Sequence, residues 1–169
     1  MNIYRPLKPY NGTGWDKVVG DVCPSITFSR NTDLVSSPSN NKAVFEKVVV
    51  DSFTPNENEL GQLSGGDPKV LVPGKYLINI KHGAEASGST NLTIQIQLKV
   101  LRGGTETLLD TWVMGSGTIN GVTVINVNHV SKLNENDIVR VYAWIGTNAG
   151  SITRFQKSSS RIILTRIGD

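Results

Sequence analysis

Histidine, cysteine and carboxylate side chains could carry acid–base, nucleophilic or metal chemistry, but in this sequence none of them has the spacing for it. His82 and His129 are the only histidines. No His-x-x-x-His or similar spacing links them, so they predict neither a zinc site nor a catalytic triad. Cys23 is the only cysteine, which excludes an intrachain disulfide and a cysteine-built zinc centre. Since no phosphate-binding loop or nucleophile elbow occurs either, we predict that the protein is not an enzyme and holds no cofactor or metal.

Two groups of charged residues have an ordinary explanation beside a functional one. Glu57, Glu59 and Asp67 share a loop, but calcium takes about six to eight oxygen ligands and their spacing matches no calcium loop. Solvated carboxylates are therefore favoured. Four cations near the C-terminus could contact a polyanion such as an acidic surface or polysaccharide, or could protect a sheet edge from pairing: Arg154, Lys157, Arg161 and Arg166.

The element with the clearest pattern is a hairpin over residues 92–114, where apolar and polar residues alternate with the two-residue period of a half-buried strand. Gly103-Gly104 tolerates the positive φ angles of a two-residue turn, so Arg102 should pair with Thr105. The resulting register places three later residues together on the polar face: Leu108, Asp110 and Trp112.

Aromatic residues on strand faces are the main candidates for contacts with other molecules. A tryptophan on a water-exposed face is an unusual choice, so Trp112, with Leu108, is either covered by a loop or arm of the same chain or contacts another subunit or a ligand. Tyr142 and Trp144 share one face of a later strand, and we predict that they pack between subunits.

Composition favours one all-β domain that carries an additional arm. Charged residues are only 18% of the 169 residues, and 17 are glycine, as expected for a protein of many turns. The net charge of +3 permits a polyanionic partner without implying nucleic acid. No apolar run resembles a signal peptide or a membrane span, so we expect synthesis in the cytoplasm and no membrane insertion.

Residues 1–40 differ from the rest of the chain because prolines and glycines leave one short strand candidate, residues 25–30. A flexible leader is one interpretation, but the segment holds more large apolar residues than a solvated tail would. We therefore predict an extended arm that is ordered on a neighbouring subunit or a larger assembly. Its anchoring residues would be Ile3, Tyr4, Leu7, Tyr10 and Trp15.

Residues 41–169 contain about eight strand patterns separated by turns, which indicates a β-sandwich or jelly roll. Three loops interrupt them, at residues 54–67, 83–89 and 146–150. Three stretches of this region resemble the globular head domains of the tumour necrosis factor-like and complement-type superfamily: Val70-Leu71-Val72-Pro73-Gly74-Lys75-Tyr76-Leu77-Ile78, Leu133-Asn134-Glu135-Asn136-Asp137-Ile138-Val139-Arg140-Val141 and Ser159-Ser160-Arg161-Ile162-Ile163-Leu164.

This resemblance implies a jelly-roll sandwich that associates as a homotrimer and binds partners through its outer loops. Asn136 stands where the family has glycine, and Arg161 where it has an aromatic residue. Similar domains occur in bacteriophage head fibres, decoration proteins and tail fibres, so the resemblance implies a virion protein, assembled in the host cytoplasm, whose residues 1–40 dock on a capsid or tail. The alternative is a carbohydrate- or receptor-binding module that contacts a surface glycan through the three loops.

Overall fold

The computed structural model describes residues 23–29, 34–35, 41–42, 47–50, 60–147 and 151–169, and these form ten β-strands and no helix. The strands are β1 (Ser25–Ser29), β2 (Leu34–Val35), β3 (Asn41–Lys42), β4 (Lys47–Val50), β5 (Gly61–Ser64), β6 (Asp67–Val70), β7 (Gly74–Arg102), β8 (Thr105–Leu133), β9 (Ile138–Thr147) and β10 (Ser151–Gly168). Within this part of the chain, no helix exists that is long and apolar enough to cross a membrane.

β7 and β8 form one long antiparallel hairpin whose two ends belong to different sheets. At its open end, residues 74–86 of β7 pair with residues 121–133 of β8 and with β10, which completes sheet I in the order β4-β1-β10-β7-β8. Near the turn, residues 92–102 of β7 pair with residues 105–116 of β8 and with β9, which completes sheet II in the order β5-β6-β9-β7-β8. Among the described strands, β8 is therefore an edge strand of both sheets.

The two sheets bury one shared apolar core, because every second residue of their strands points inward. Sheet I contributes Phe28, Tyr76 and Ile78, and sheet II contributes Ile96 and Leu98, all at most 1% exposed. Burial of each such side chain stabilises the fold by about 1.5–3 kcal/mol before chain entropy is counted. The predicted jelly-roll β-sandwich is thus confirmed.

The predicted register of the hairpin is right near the turn and wrong beyond it. Gly103 and Gly104 have φ angles of 55° and 83°, and Arg102 pairs with Thr105. After Lys99 and Leu108, however, the pairing shifts by one residue so that Leu98 lies opposite Asp110. Leu109 is the extra residue of a β-bulge, which moves every later side chain of this half of β8 to the other face.

Two predicted loops contain regular structure. Within residues 54–67, β5 and the start of β6 form a hairpin whose turn, Gly65-Gly66, has φ angles of 57° and 79°. Residues 83–89 lie inside β7, where a register shift between Ala86 and Thr90 accommodates the passage from sheet I to sheet II. Of residues 146–150, the first two end β9, and the rest lie outside the described part of the chain.

The arm boundary at residue 40 is also corrected. β1 lies between β4 and β10, and its Ile26 and Phe28 are fully buried in the core. Removing them would open a cavity, so residues 25–29 are part of the sandwich. The anchoring residues predicted in the arm, Ile3 to Trp15, lie outside the described residues.

Candidate functional site

The free edge of β8 is the most distinctive surface of the described residues. Among the described residues, β8 pairs with β7 alone, so no described strand occupies the other side of its backbone, where a further strand could pair. Six large apolar side chains in the described part of the chain are more than 40% exposed, and five of them are on β8: Leu108, Val113, Val122, Val124 and Val130. The sixth, Ile167, is on β10.

A cleft opens between the two sheets at this edge. Its volume is about 450 Å³. It is lined by core-facing residues of β7 and of both halves of β8, namely Ile94, Ile96, Trp112, Met114, Ile125 and Val127, and by the exposed residues Val113, Val124 and Asn126. A cleft of this size and apolar lining is suited to apolar side chains of a partner.

The β-bulge explains why Trp112 lines this cleft, contrary to the predicted position. With regular pairing, Thr111 and Val113 would face inward; the shift places Trp112 opposite Ile96 and Met114 opposite Ile94 instead. Trp112 and Met114 are half-buried against the core. A tryptophan and a methionine have more apolar surface to bury than a threonine and a valine, and this gain favours the bulge. Leu108 precedes the bulge and is 53% exposed on the polar face, as predicted.

A polar contact between the sheets borders the cleft. The Oδ2 atom of Asp110, on the sheet II half of β8, lies 3.0 Å from Nδ1 of His129, on the sheet I half. Oδ1 of Asp110 accepts a hydrogen bond of 2.7 Å from the backbone N–H of Thr111. The imidazole also packs edge-on against Trp112, with ring centroids 6.3 Å apart. These contacts satisfy the aspartate that the bulge turns toward the apolar side.

Tyr142 belongs to a charged network on the exposed face of sheet II. Its hydroxyl donates a 2.8 Å hydrogen bond to Oε1 of Glu106, to which Arg140 also donates at 3.1 Å. Lys99 donates to the other oxygen of this carboxylate, Oε2, at 3.1 Å. Burial alone would raise the pKa of Glu106, but the hydrogen bonds from Tyr142, Arg140 and Lys99 together lower it. The Lys99 ammonium lies 4.4 Å from the centre of the Tyr142 ring, so this ring is partly covered by its own chain.

Trp144, the other aromatic residue predicted on this strand, is half-buried and lies opposite Gln95. The structure therefore brings Tyr142 and Trp144 to one face, as predicted. It places Trp112 elsewhere, because the bulge separates that residue from the exposed face of sheet II. Whether any of them contacts another subunit stays a prediction.

The four predicted C-terminal cations do not form one cluster in the described side chains. Arg166 donates a 3.1 Å hydrogen bond to the Pro73 carbonyl and pairs with Asp169. Arg161 is exposed and lies opposite Lys81 of β7. The side chains of Arg154 and Lys157 lie outside the described ones.

The remaining chemistry-bearing residues have structural contacts. Oγ of Ser160 lies 3.3 Å from Nδ1 of His82, but both side chains are buried, at 2% and 0% exposure, where a substrate would not reach the hydroxyl. The Asp67 carboxylate accepts a 3.1 Å hydrogen bond from Nε of Arg140, while Glu57 and Glu59 lie outside the described residues. In the part of the chain that the structure describes, no three histidine, cysteine or acidic residues are grouped as metal ligands would be.

Comparison with solved structures supports this architecture. The Eiger tumour necrosis factor from S. frugiperda superposes with a TM-score of 0.61 at 18% identity, over 87% of this chain and 94% of that one. The fold is tumour necrosis factor-like. Murine APRIL gives a TM-score of 0.59 at 10% identity, over 85% of this chain and 98% of that one. The globular domain of the zebrafish complement 1qA protein gives 0.56 at 16% identity, over 86% and 98%.

This likeness identifies the tumour necrosis factor-like fold and bears out the fold implied by the three sequence stretches. No protein-family model and no curated protein matches the sequence.

Proposed function

We propose that this protein is a non-enzymatic structural component of a virion, a phage capsid decoration, head-fibre or tail-associated protein that assembles as a homotrimer. The observation that carries the association is the apolar free edge of β8. Val122, Val124 and Val130 project from the exposed face of sheet I, while Leu108 and Val113 project from that of sheet II. Exposed apolar groups that follow a single edge strand are a feature of surfaces that become covered by a partner.

A second and a third copy of the chain are the proposed cover. Because the apolar residues follow one edge of the sandwich, contact with a different surface of the next copy would be heterologous, and heterologous contacts close into rings when the rotation permits. The number three comes from the resemblance of this chain to tumour necrosis factor-like head domains.

The N-terminal segment is the proposed anchor. The backbone N–H of Arg166 donates a 2.9 Å hydrogen bond to the Pro24 carbonyl, which fixes the chain where it enters β1. Residues 1–22 precede that point and include the apolar residues Ile3, Tyr4, Leu7, Tyr10 and Trp15. The anchor is therefore shorter than the forty residues predicted from the sequence alone.

Deletion of residues 1–22 tests both parts of the proposal. The shortened chain retains β1, so we expect a folded protein whose mass in solution is that of three chains. In virions assembled from a genome with the deletion, the protein should no longer be present in purified particles. A single-chain mass would refute the trimer, and undiminished incorporation would refute the anchor. Absence of the full-length protein from virions whose genome encodes it would refute the virion role.

A receptor- or carbohydrate-binding module is the second candidate, and the exposed face of sheet II favours it. Register pairs Gln95 with Trp144 and Gln97 with Tyr142, so two amides lie beside two half-buried aromatic residues. Aromatic rings can stack on the apolar face of a sugar, and amides can both donate and accept hydrogen bonds with hydroxyls. Glycan-array binding that survives deletion of residues 1–22 and is lost in Trp144→Ala would support this function. Absence of glycan binding by the full chain would contradict it.

A further inference from the structure

The exposed face of sheet I contains two pairs of like charges that lie directly opposite each other. Lys75 pairs with Lys132 across β7 and β8, and Lys81 pairs with Arg161 across β7 and β10. Like charges in directly opposed positions destabilise a sheet. Because this repulsion between opposed cations occurs twice on one face, we infer that a bound partner or ligand compensates for it.

None of these four cations has a carboxylate partner among the described residues. By contrast, Lys99, Arg102, Arg140 and Arg166 each contact a carboxylate within 4.0 Å. Among the described residues of β7, none between the two cation pairs is acidic. Between the two cation pairs, β7 has Leu77 and Asn79 on this face, and the nearest carboxylate along the strand is Glu85, four positions beyond Lys81.

Three asparagines add hydrogen-bond donors next to the second pair. Nδ2 of Asn79 donates to Oδ1 of Asn126 and to Oδ1 of Asn128, both at 2.7 Å. Since these bonds engage the two amide oxygens, the NH₂ groups of Asn126 and Asn128 remain to face solvent as donors. Asn126 lies opposite Lys81. One row across three strands therefore combines an ammonium, a guanidinium and an amide NH₂ group.

This combination suits a multivalent oxyanion. Sulfate and phosphate present several acceptor oxygens, the guanidinium binds two of them in parallel, and the ammonium supplies a further charge. The Lys75 and Lys132 pair, about 20 Å away for six residues of strand, has no asparagine opposite it in the sheet and is less suited to the same ligand.

We propose that Lys81 and Arg161, with Asn126, bind an inorganic oxyanion of the sulfate or phosphate class where copies of the chain meet, and that the bound ion stabilises the homotrimer. The inference rests on the proposed trimer, since it takes the exposed face of sheet I to be part of the association surface that includes Val124 and Val130. Apposition of several copies would bring further cations together, and a bound anion relieves their repulsion.

The test compares trimer dissociation on dilution in sodium sulfate and in sodium chloride at matched ionic strength. For one linked site per trimer, sulfate at ten times its dissociation constant should raise the trimer association constant about elevenfold. Lys81→Gln combined with Arg161→Gln should remove the difference between the two salts. Lys75→Gln combined with Lys132→Gln is the matched control, because it removes the same charge from the same face and should retain the sulfate effect.

The outcomes separate the two proposals. A three-chain protein with equal stability in both salts would overturn the anion site and leave the trimer standing. Loss of the sulfate effect in both double variants would show general charge relief and would also overturn the site. A single-chain mass in every buffer would overturn the trimer and, with it, any site formed where copies meet. Retained sulfate dependence in Lys81→Gln with Arg161→Gln would assign the effect to general strengthening of apolar contacts.

Discussion

Replacement of three exposed valines of β8 by threonine should weaken the proposed trimer without unfolding the chain. Val113, Val122 and Val124 are 65%, 47% and 44% exposed. Full burial of a valine side chain contributes about 1.5–3 kcal/mol, so covering the remaining half of each gives about 1 kcal/mol, or about 3 kcal/mol per chain. At about 1.4 kcal/mol for each factor of ten, the concentration at which trimers dissociate should rise at least about a hundredfold.

Sedimentation velocity or native mass spectrometry over a dilution series measures this change. Threonine has the shape of valine and a comparable preference for strands, so the thermal midpoint of the isolated subunit should change little. Ile167→Thr is the control for the β8 edge, because Ile167 is 42% exposed but lies on β10, which β7 separates from β8. The reasoning is refuted if the wild-type protein is a trimer and the triple variant dissociates at the same concentration, or if Ile167→Thr weakens the trimer equally.

Three further variants test the fold that supports this edge. Burial, opposed by a smaller effect of Arg166, raises the pKa of Tyr76 to about 12. As the pH rises, the tyrosine hydroxyl therefore loses its proton in the unfolded chain before it does so in the folded one, and the unfolding free energy should fall by up to about 3 kcal/mol between about pH 10 and 12. In urea titrations over this pH range, Tyr76→Phe should lack this contribution to the decrease in unfolding free energy. Asp137→Asn should lower the unfolding free energy by about 2–3 kcal/mol in urea, since the buried carboxylate accepts bonds of 2.8 and 2.6 Å from Arg102; a loss below about 0.5 kcal/mol would contradict this. Deletion of Leu109 removes the bulge residue but keeps both ends of the hairpin in register, so the chain should fold with a loss of about 1–2 kcal/mol; an unfolded product, seen by circular dichroism, would contradict that assignment.

Local chemistry made much of the sandwich predictable. The two-residue period marks β7, and Gly103-Gly104 specifies a turn that only residues tolerant of positive φ can form. Asn136 has a φ of 68°, as expected for an asparagine at a position where the domains that the sequence resembles have glycine, and Asp137 follows it in the same turn. In each case the physical requirement lies within a few neighbouring residues, so it is visible in the sequence.

The features that were missed depend on distant parts of the chain. The bulge at Leu109 is favoured by the burial of Trp112 and Met114 against a core built by other strands, and nothing in the residues next to Leu109 specifies it. Asp110 lies in the core-facing row and contacts His129. Both facts can be deduced only after the pairing register of β7 with β8 is known. The prolines and glycines that flank β1 resemble a linker and predict an arm, while the role of β1 depends on its pairing with β10.

The continuity of β7 and β8 has a consequence for how the chain acquires its structure. The tight turn brings together residues only three positions apart, and each further pair extends from there, so loop closure is inexpensive at every step. If the β7–β8 hairpin grows from its turn, its sheet II half forms first and its sheet I half second, before the remaining strands pair with it. We expect φ-value analysis to find the residues around the turn structured early and β1 late, and folding faster than the topology of an all-β domain would otherwise give.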